Sequence, residues 1–408
     1  MNDTMQNLMR EATRLTQSGN LTEATAAIQR ALGNARGAPM PPPPAPTPAS
    51  AAIILDGCVF EVAQPEAGRP DSASPGSARH ATEAPAAPVP ETSRGSANSH
   101  TRTAAGEFKE GSHTHASLTR RYKLYTPPGV AGDVGKSLPL VVMLHGCTQN
   151  PDDFAAGTGM NELAREQGFC VLYPAQAADA NPQRCWNWFK HTHQSRGRGE
   201  AALLASMTLS VIQQHGIDAR RVYIAGLSAG GAMAAIMAAA YPEIYAAVGV
   251  HSGLAVGAAS NVSEALAAMR SGAKRSVKTS AQDGAGGGKA GDLAGPANAV
   301  PTIVFHGDQD HTVHPRNGEQ VAAAAQGEPG HSVTRRVEHG VASGGRRYIR
   351  SIYGSSNGQT VAEHWLVNGA AHAWSGGQAS GSYTDPKGPD ATSEMLRFFL
   401  AHPHPEKP

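Results

Sequence analysis

The feature of this sequence that most constrains its fold is an uninterrupted apolar run, LPLVVML, at residues 138–144. A strand that is apolar on both faces has to be covered on both sides, as happens at the centre of a parallel sheet. Other short apolar runs alternate with helical patterns along the chain. Strands are predicted at Leu138–Leu144, Arg121–Tyr125, Phe169–Tyr173, Val222–Ala225, Ala246–Val250, Thr302–Phe305 and Glu363–Val367, and helices at Asp153–Gln167, Glu200–Gln214, Ala229–Ala240 and Asp390–Ala401. This alternation predicts an α/β domain with a mostly parallel central sheet and helices on both faces.

Composition divides the 408 residues into three predicted regions. Residues 1–36 have apolar positions at helical spacing, which predicts a helical hairpin similar to half of a tetratricopeptide unit. Residues 37–104 are rich in Pro, Ala, Ser and Gly and are predicted to be a mostly disordered linker, except for an apolar island at residues 53–62. The α/β domain is assigned to residues 105–402, with a low-complexity insertion at about residues 271–298.

Charge and the N-terminal sequence limit the expected partners. The net charge of +1 gives no field that would attract nucleic acid or an anionic membrane, so a neutral substrate is expected. The N-terminal sequence MNDTMQNLMREATRLTQ lacks the apolar core of a secretory signal, and no apolar run is long enough for a transmembrane segment. We therefore expect a cytoplasmic protein that binds no nucleic acid.

The strongest chemical motif is the segment Gly226-Leu227-Ser228-Ala229-Gly230, which follows a predicted strand and opens a predicted helix. G-x-S-x-G in this context is the nucleophile elbow of serine hydrolases. The serine has to sit on a sharp, strained turn, and a side chain at either glycine would clash with neighbouring backbone. We predict that Ser228 is a nucleophile and that the Ala229 N–H is one donor of an oxyanion hole.

A serine nucleophile needs a base and an orienting acid, which in this class follow in the order Ser, acid, His. The segment PTIVFHGDQDHTVHP at 301–315 ends a strand with two candidate acids, Asp308 and Asp310. The segment HWLVNGAAHAWSGG at 364–377 places His372 after a later strand. Chain order and position at a strand end favour His372 as the base over the other histidines. Loop or satisfied polar positions are expected for His145, His251, His306, His311 and His364.

The second oxyanion donor is predicted in the loop HGC at 145–147, directly after the LPLVVML strand. The Cys147 N–H is the favoured donor. The alternative is a turn at Gly146 that only ends the strand.

An aromatic cluster at Trp186, Asn187 and Trp188 is predicted to line the acyl-binding cleft, because ester substrates present apolar groups between their carbonyls. Core packing is the alternative for each ring, and Trp186 is favoured as the cleft residue.

Seven segments of the chain form a wider signature: LHGCTQN at 144–150, RCWNWF at 184–189, RGRGEAALL at 196–204, GLSAGGAMA at 226–234, GVHSG at 249–253, FHGDQDHTVHPRN at 305–317 and HAWSGG at 372–377. Together they resemble the polyhydroxybutyrate (PHB) depolymerase family of esterases, relatives of feruloyl and acetylxylan esterases, over about residues 106–401. The resemblance implies an α/β-hydrolase fold and a triad of Ser228, Asp310 and His372. The spacing H-G-x-x-D-x-x-V from His306 selects Asp310 over Asp308.

The function implied by the resemblance is hydrolysis of poly(3-hydroxybutyrate) or its oligomers through an acyl-enzyme, without a metal or organic cofactor. A feruloyl or acetylxylan-type carboxylic ester hydrolase is the alternative. An alternative of another class is a granule-associated binding protein whose functional part is the N-terminal hairpin. The expected partners are an ester or polyester and polyhydroxyalkanoate granules. Secreted family members carry a signal peptide, so an extracellular location is the alternative to the cytoplasm.

The four cysteines lack metal-site spacing, so no metal site is expected. Cys147 lies in the oxyanion loop and Cys185 precedes the aromatic cluster, so these two sulfurs are predicted to be neighbours. A disulfide between them would join the loop to the cleft wall. Cytoplasmic thiols are usually reduced, so the oxidised and the reduced pair remain equally open. Cys58 and Cys170 are expected to stay free.

Overall fold

The computed structural model describes residues 51–55, 58–62, 106–129, 137–273, 300–327 and 333–405. The predicted hairpin at 1–36, most of the linker at 37–104 and most of the insertion at about 271–298 lie outside the described residues and remain predictions. The apolar island forms two strands, β1 (Ala51–Leu55) and β2 (Cys58–Val62), which pair antiparallel in a small sheet of their own.

Ten strands form the central sheet: β3 (Glu107–His115), β4 (Leu118–Thr126), β5 (Leu140–Leu144), β6 (Cys170–Pro174), β7 (Val222–Leu227), β8 (Ala247–His251), β9 (Thr302–Gly307), β10 (Thr334–Val341), β11 (Arg347–Gly354) and β12 (Thr360–Val367). Their spatial order is β10-β11-β12-β9-β8-β7-β5-β6-β4-β3. The six strands from β12 to β6 pair in parallel, and the strands at both flanks pair antiparallel. The predicted mostly parallel centre is therefore confirmed.

The described helices of the domain are α1 (Pro151–Thr158), α2 (Met160–Gln167), α3 (Gly199–His215), α4 (Ala229–Ala240), α5 (Val262–Ser271), α6 (Arg316–Ala324) and α7 (Ala391–Leu400). The single helix predicted at Asp153–Gln167 is wrong, because Gly159 adopts a left-handed conformation, with φ of 64°, between α1 and α2. A residue in that conformation closes a helix. Within the described part of the chain, no helix is both long and apolar enough to cross a bilayer.

The apolar strand β5 shows why both faces of the sheet are covered. Leu140, Val142 and Leu144 pack into one core cluster, together with α3, α4, α5 and α6. Val141 and Met143 point the other way, into a second cluster with α1, α2 and α7. All five side chains are fully buried. The doubly apolar run therefore produces the layered architecture expected from it.

Several elements at the flanks were not predicted. The strands β10 and β11 carry mostly polar and half-exposed residues, so they contain no apolar run and no strict alternation. The strand β3 is equally polar, with the sequence EFKEGSHTH. Such strands are held by pairing with a neighbour rather than by burial of a hydrophobic face. The short helices α5 and α6 were missed as well.

Candidate active site

Ser228 stands at the turn between β7 and α4, with φ of 58° and ψ of −120°. This conformation is strained for a residue with a side chain and is typical of functional turns. A Cβ atom at Gly226 would lie 2.7 Å from the carbonyl oxygen of Leu144, and one at Gly230 would lie 2.6 Å from that of His145. Both glycines are therefore needed for the elbow to pack against the end of β5, as the motif predicts.

Asp310 follows the end of β9 and is buried. Its Oδ1 accepts hydrogen bonds from the N–H groups of Thr312, at 3.0 Å, and Val313, at 2.8 Å. Its Oδ2 lies 2.7 Å from His372 Nδ1. Burial alone would raise the pKa of the Asp310 carboxyl, but the neighbouring His372 and His306 hold that pKa well below its usual range. Asp310 is thus kept as an anion beside an imidazole.

Asp308, the other candidate acid, points elsewhere. Its carboxylate accepts a hydrogen bond from Asn368 Nδ2 at 3.0 Å and from the Gly369 N–H at 2.6 Å. These bonds tie the turn after β9 to the turn after β12. The structure therefore brings Asp310, and not Asp308, to His372.

His372 lies in the loop between β12 and the short strand β13 (Trp374–Ser375). An ionised carboxylate only accepts hydrogen bonds, so Nδ1 of His372 is the protonated nitrogen and Nε2 is left as an acceptor. His372 and Ser228 line one cavity together with Cys147. Within the described chain no hydrogen bond joins Ser228 to His372, and such bonds often form only when substrate is bound.

The loop after β5 meets the nucleophile. A Cβ atom at Gly146 would lie 3.7 Å from the Cβ of Ser228. The Gly146 N–H donates to Gln149 Oε1 at 2.9 Å, which holds the loop in place. The N–H groups of Cys147 and Ala229 form no hydrogen bond with other described residues. Both donors are therefore available to an oxygen bound beside Ser228, where the sequence predicts the oxyanion hole.

A disulfide joins Cys147 to Cys185, with an S–S distance of 2.05 Å and Cα atoms 4.2 Å apart. The Thr148 N–H also donates to the carbonyl oxygen of Gln183 at 2.6 Å. The oxyanion loop is therefore connected to the segment that carries the tryptophans, as the predicted neighbourhood of the two sulfurs requires. Cys170 is a buried free thiol, and the side chain of Cys58 lies outside the described part.

The structure corrects the predicted acyl-cleft cluster at two of its three residues. Trp186 is fully buried beside the ring of His145, and Asn187 is buried as well. The N–H and Nδ2 of Asn187 each donate at 2.8 Å to the carboxylate of Glu200. A buried carboxylate needs such donors, so Asn187 turns into the protein. Trp188, and not Trp186, lines a cavity with Ser228.

Three of the histidines that the sequence assigns to loops or polar contacts hold backbone groups near the site. The ring of His251 accepts the Ser375 N–H at 2.9 Å, and that of His306 donates to the carbonyl oxygen of Val313 at 2.7 Å. His145 Nε2 accepts the N–H of Gln176 at 3.1 Å. Burial lowers the pKa of His145 to about 4, so its ring stays neutral. His145 and His251 have the satisfied polar contacts expected of them, whereas the buried Nδ1 of His306 has no hydrogen-bond partner among the described residues.

Sequence reasoning missed several residues that line cavities beside Ser228, namely Gln149, Leu254, Met269, Val313 and Tyr383. It also assigned no role to Glu200. A glutamate that opens the apolar helix segment EAALL is a recognisable signal, because an acidic side chain facing a core requires partners. No comparable local signal identifies Leu254 or Tyr383.

Comparisons with known proteins agree with this geometry. Residues 120–330 match the family model described as "Esterase PHB depolymerase". Poly(3-hydroxyalkanoate) depolymerase C of Paucimonas lemoignei is 32% identical over 263 residues, which are 63% of this chain and 61% of that protein. Acetylxylan esterase A of Talaromyces purpureogenus is 31% identical over 146 residues, 35% of this chain and 36% of that protein. The chain thus spans less than two thirds of either relative.

Among solved structures, an acetyl xylan esterase from Aspergillus awamori is similar with a TM-score of 0.53 and 18% sequence identity. The match covers 72% of this chain and 99% of that one. At this identity the likeness shows the fold alone. The fold is that of the α/β hydrolases, as predicted.

Proposed function

The chain belongs to the PHB depolymerase family of esterases, and on that premise we propose that it is a carboxylic ester hydrolase that works through a seryl acyl-enzyme. The observation that carries the proposal is the contact of 2.7 Å between His372 Nδ1 and Asp310 Oδ2, in a loop that shares a cavity with the strained Ser228. The His372–Asp310 contact, the shared cavity and the chain order Ser, Asp, His support a Ser-His-Asp triad.

In the acylation step, Ser228 Oγ attacks the ester carbonyl carbon and its proton passes to His372 Nε2. The carbonyl oxygen becomes an anion that accepts hydrogen bonds from the N–H groups of Cys147 and Ala229. The carbon–oxygen bond to the alcohol then breaks, and the leaving oxygen takes the proton from His372 Nε2. Asp310 stays ionised throughout and stabilises the imidazolium.

Deacylation repeats the sequence with water. His372 Nε2 accepts a proton from the attacking water, and the same two N–H groups stabilise the second tetrahedral anion. The bond to Ser228 Oγ breaks, the proton returns to that oxygen, and the acid is released. The reaction as a whole consumes one water for each ester bond.

We propose poly(3-hydroxybutyrate) or its oligomers as the substrate. The similarity to a poly(3-hydroxyalkanoate) depolymerase supports this choice, as does the apolar wall of Trp188, Leu254, Met269 and Val313 beside the nucleophile. A polyester of this kind presents methyl and methylene groups between uncharged carbonyls, which suit an apolar wall.

Acetylated sugar esters are the second candidate, because acetylxylan esterases are similar to this chain in sequence and in fold. Motifs of this kind locate the catalytic groups, whereas the choice of ester depends on the shape of the cavity. The two candidates differ in the acid that is released, which is 3-hydroxybutyrate in one case and acetate in the other.

The test is a turnover screen of the full chain on amorphous PHB, 3-hydroxybutyrate oligomers, acetylated xylan, methyl ferulate and p-nitrophenyl esters of graded length. Ser228→Ala is expected to lower kcat by a factor on the order of 10⁴ to 10⁶, because the triad acts as a unit. Circular dichroism has to show an unchanged fold. If the variant keeps more than about a hundredth of the wild-type rate, Ser228 is not the nucleophile.

A further inference from the structure

Ser228 stands between two cavities that share only Ser228 and Cys147. The first is also lined by Gly146, Gln149, Leu227, His372 and Tyr383. The second is also lined by Trp188, Ala229, Leu254, Met269 and Val313. An ester bound at Ser228 has two halves, and the two cavities offer one place for each.

The chemistry decides which half goes where. In acylation the leaving oxygen takes its proton from His372 Nε2, so the alcohol half has to lie on the side of His372. That side is the first cavity, which we name the alcohol cavity. The acyl half then extends past the N–H of Ala229 into the second cavity, which we name the acyl cavity.

The linings of the two cavities also differ in polarity. The acyl cavity is walled by the side chains of Trp188, Leu254, Met269 and Val313, all apolar or aromatic and mostly buried. Leu254, Met269 and Val313 can only exclude water and accommodate hydrocarbon, and Trp188 adds a single indole N–H donor. The alcohol cavity contains two polar side chains besides the triad, Gln149 and Tyr383. The side-chain amide and hydroxyl groups near a bound substrate, apart from Ser228, are therefore on the alcohol side.

Of these two polar side chains, Gln149 is already committed to the protein. Its Oε1 accepts the Gly146 N–H at 2.9 Å, and its Nε2 donates to Asp153 Oδ2 at 3.0 Å and to the carbonyl oxygen of Ser382 at 3.2 Å. A buried amide with both ends occupied has little left to offer a ligand. Tyr383 is left as the polar group of the alcohol cavity that can bind substrate.

The backbone of Tyr383 is held rigidly. Its φ of 52° lies in the left-handed region, which is uncommon for a tyrosine and indicates a position imposed by its surroundings. Its carbonyl oxygen accepts the Trp374 N–H at 2.7 Å. The preceding N–H, that of Ser382, donates to Asp153 Oδ1 at 2.8 Å. The backbone that carries the phenol side chain at the cavity is therefore held in place.

The hydroxyl of Tyr383 is weakly bonded. It lies 3.3 Å from Thr148 Oγ1, whose own hydrogen is donated to the Cys147 carbonyl oxygen at 2.6 Å. Tyr383 is consequently the donor in the longer bond, which is well beyond the usual O–H···O distance. A substrate oxygen in the alcohol cavity can replace Thr148 as acceptor at little cost.

We propose that Tyr383 selects the alcohol half of the ester, by donating its phenol hydrogen to an acceptor a few atoms beyond the leaving oxygen. The proposal rests on the proposed esterase function. It assigns the preferred substrates to esters of hydroxy acids, in which the alcohol half itself carries a carbonyl or carboxylate. An oligomer of 3-hydroxybutyrate has such a carbonyl three carbons from the oxygen that leaves.

The experiment compares two esters with the same acyl half. One is the methyl ester of the 3-hydroxybutyrate dimer, and the other is sec-butyl 3-hydroxybutyrate, which keeps the branched carbon at the leaving oxygen but has a methyl group in place of the distal methoxycarbonyl group. Tyr383→Phe is expected to lower kcat/KM for the dimer ester by roughly five- to tenfold, the effect of one neutral hydrogen bond. For the sec-butyl ester the change is expected to stay below about twofold, since no acceptor is lost.

Cleavage of the internal ester of the dimer and cleavage of the sec-butyl ester form the same 3-hydroxybutyryl-enzyme, so for these two bonds Tyr383→Phe has to leave the deacylation rate constant unchanged. Met269→Ala, in the acyl cavity, is the matched contrast and should change kcat/KM for both esters by the same factor. Tyr353→Phe, which removes a phenol hydroxyl from β11, controls for effects away from the two cavities.

An equal effect of Tyr383→Phe on the two esters, or a changed deacylation rate, overturns this inference and leaves the esterase function intact. Failure of the wild-type chain to hydrolyse either ester overturns the proposed substrate class, and failure on every ester of the earlier screen overturns the esterase function.

Discussion

Two buried carboxylates, Asp310 and Glu200, lie in different regions of the molecule and are similar in almost every local property. Each is almost fully buried. For each, burial alone would raise the pKa of the carboxyl, and hydrogen bonds and charges from neighbouring groups lower it instead. Only their partners differ. Burial and a shifted pKa therefore do not separate a catalytic carboxylate from a structural one.

Around Glu200 every partner belongs to the framework of the protein. Gln176 Nε2 donates to it at 2.6 Å, Asn187 donates to both oxygens, and Arg120 lies at 3.7 Å. His193 Nδ1 lies 3.5 Å from the carboxylate, but His193 lines neither cavity beside Ser228. Gln176 also presents its N–H to the ring of His145, so Glu200 organises the segment behind the oxyanion loop. Asp310 has one partner of another kind, His372, whose second nitrogen remains available at a cavity. That free nitrogen is what makes a buried carboxylate useful for catalysis.

The largest effect that could break this comparison is expected at Asp310. Asp310→Asn should lower kcat by a factor on the order of 10⁴, because an amide would stabilise the wrong tautomer of His372. Asp308→Asn is the matched control, and steady-state kinetics should show a far smaller loss. The opposite ranking of the two variants would make Asp308 the acid.

At Glu200 the loss should appear in stability. Glu200→Ala leaves Arg120 buried without its carboxylate, and breaking such a pair costs about 3–5 kcal/mol of unfolding free energy. Urea unfolding measures this, with Glu110→Gln in the exposed Arg121–Glu110 pair as the control, for which less than about 1 kcal/mol is expected. A stable Glu200 variant with an activity loss like that of Asp310→Asn would place Glu200 in the catalytic machinery.

Removing the disulfide tests how much the link between the oxyanion loop and the segment held by Glu200 contributes to stability. Replacing both Cys147 and Cys185 by alanine should lower the unfolding free energy by roughly 3 to 4 kcal/mol, from the loop entropy of a 38-residue separation. A reductant should destabilise the wild type by a similar amount and leave the double variant unaffected. An unchanged wild type under reductant would mean that the pair is not oxidised in solution. Disulfides persist in oxidising compartments, so this measurement also bears on the cytoplasmic prediction.

A last effect, smaller than the others over any single pH unit, is a dependence of stability on pH that distinguishes buried histidines from buried carboxylates. Burial lowers the pKa of His145 and of His364 to about 4 from the ordinary value of 6.5. Between those values the unfolded chain binds more protons, so stability is complete above about pH 7 and falls as the pH drops towards 4. Each histidine should contribute about 1.4 kcal/mol per pH unit in this window.

Asp310 and Glu200 have lowered pKa values, so their contribution to stability is present above the unfolded carboxyl pKa of about 4 and is lost only below it.

Because only the histidines titrate in the higher window, His364→Gln should reduce the slope of the unfolding free energy against pH between pH 6.5 and pH 4. An unaltered slope in that variant would show that His364 does not titrate there.

Much of the site could be predicted because the sequence patterns that form it span only a few residues. The elbow at Ser228 requires small residues at Gly226 and Gly230 for reasons of backbone contact, and these requirements are visible in five consecutive letters. Strand ends place Asp310 and His372 at the same edge of a parallel sheet, so chain order was enough to pair them. Those local patterns left both Asp308 and Asp310 open, and the family resemblance, through the spacing from His306, selected Asp310.

The orientation of side chains within the segment at 185–188 could not be predicted in the same way. Trp186 and Trp188 are equivalent in sequence terms, and only the assembled structure buries Trp186 beside His145 and places Trp188 at the cavity beside Ser228. The polar flanking strands β10 and β11 were missed because their stability comes from pairing across the sheet.

The sequence by itself determined the layered α/β architecture and the order of nucleophile, acid and base, since apolar periodicity and glycine requirements act over a few residues. The tertiary structure decided which side chains line the two cavities and which buried carboxylate touches a histidine that reaches one of them. Those properties depend on groups far apart in the chain, such as Thr148 and Tyr383, which meet at 3.3 Å across a separation of 235 residues. Contacts of that kind arise only when the whole sheet is assembled, because no local preference specifies them.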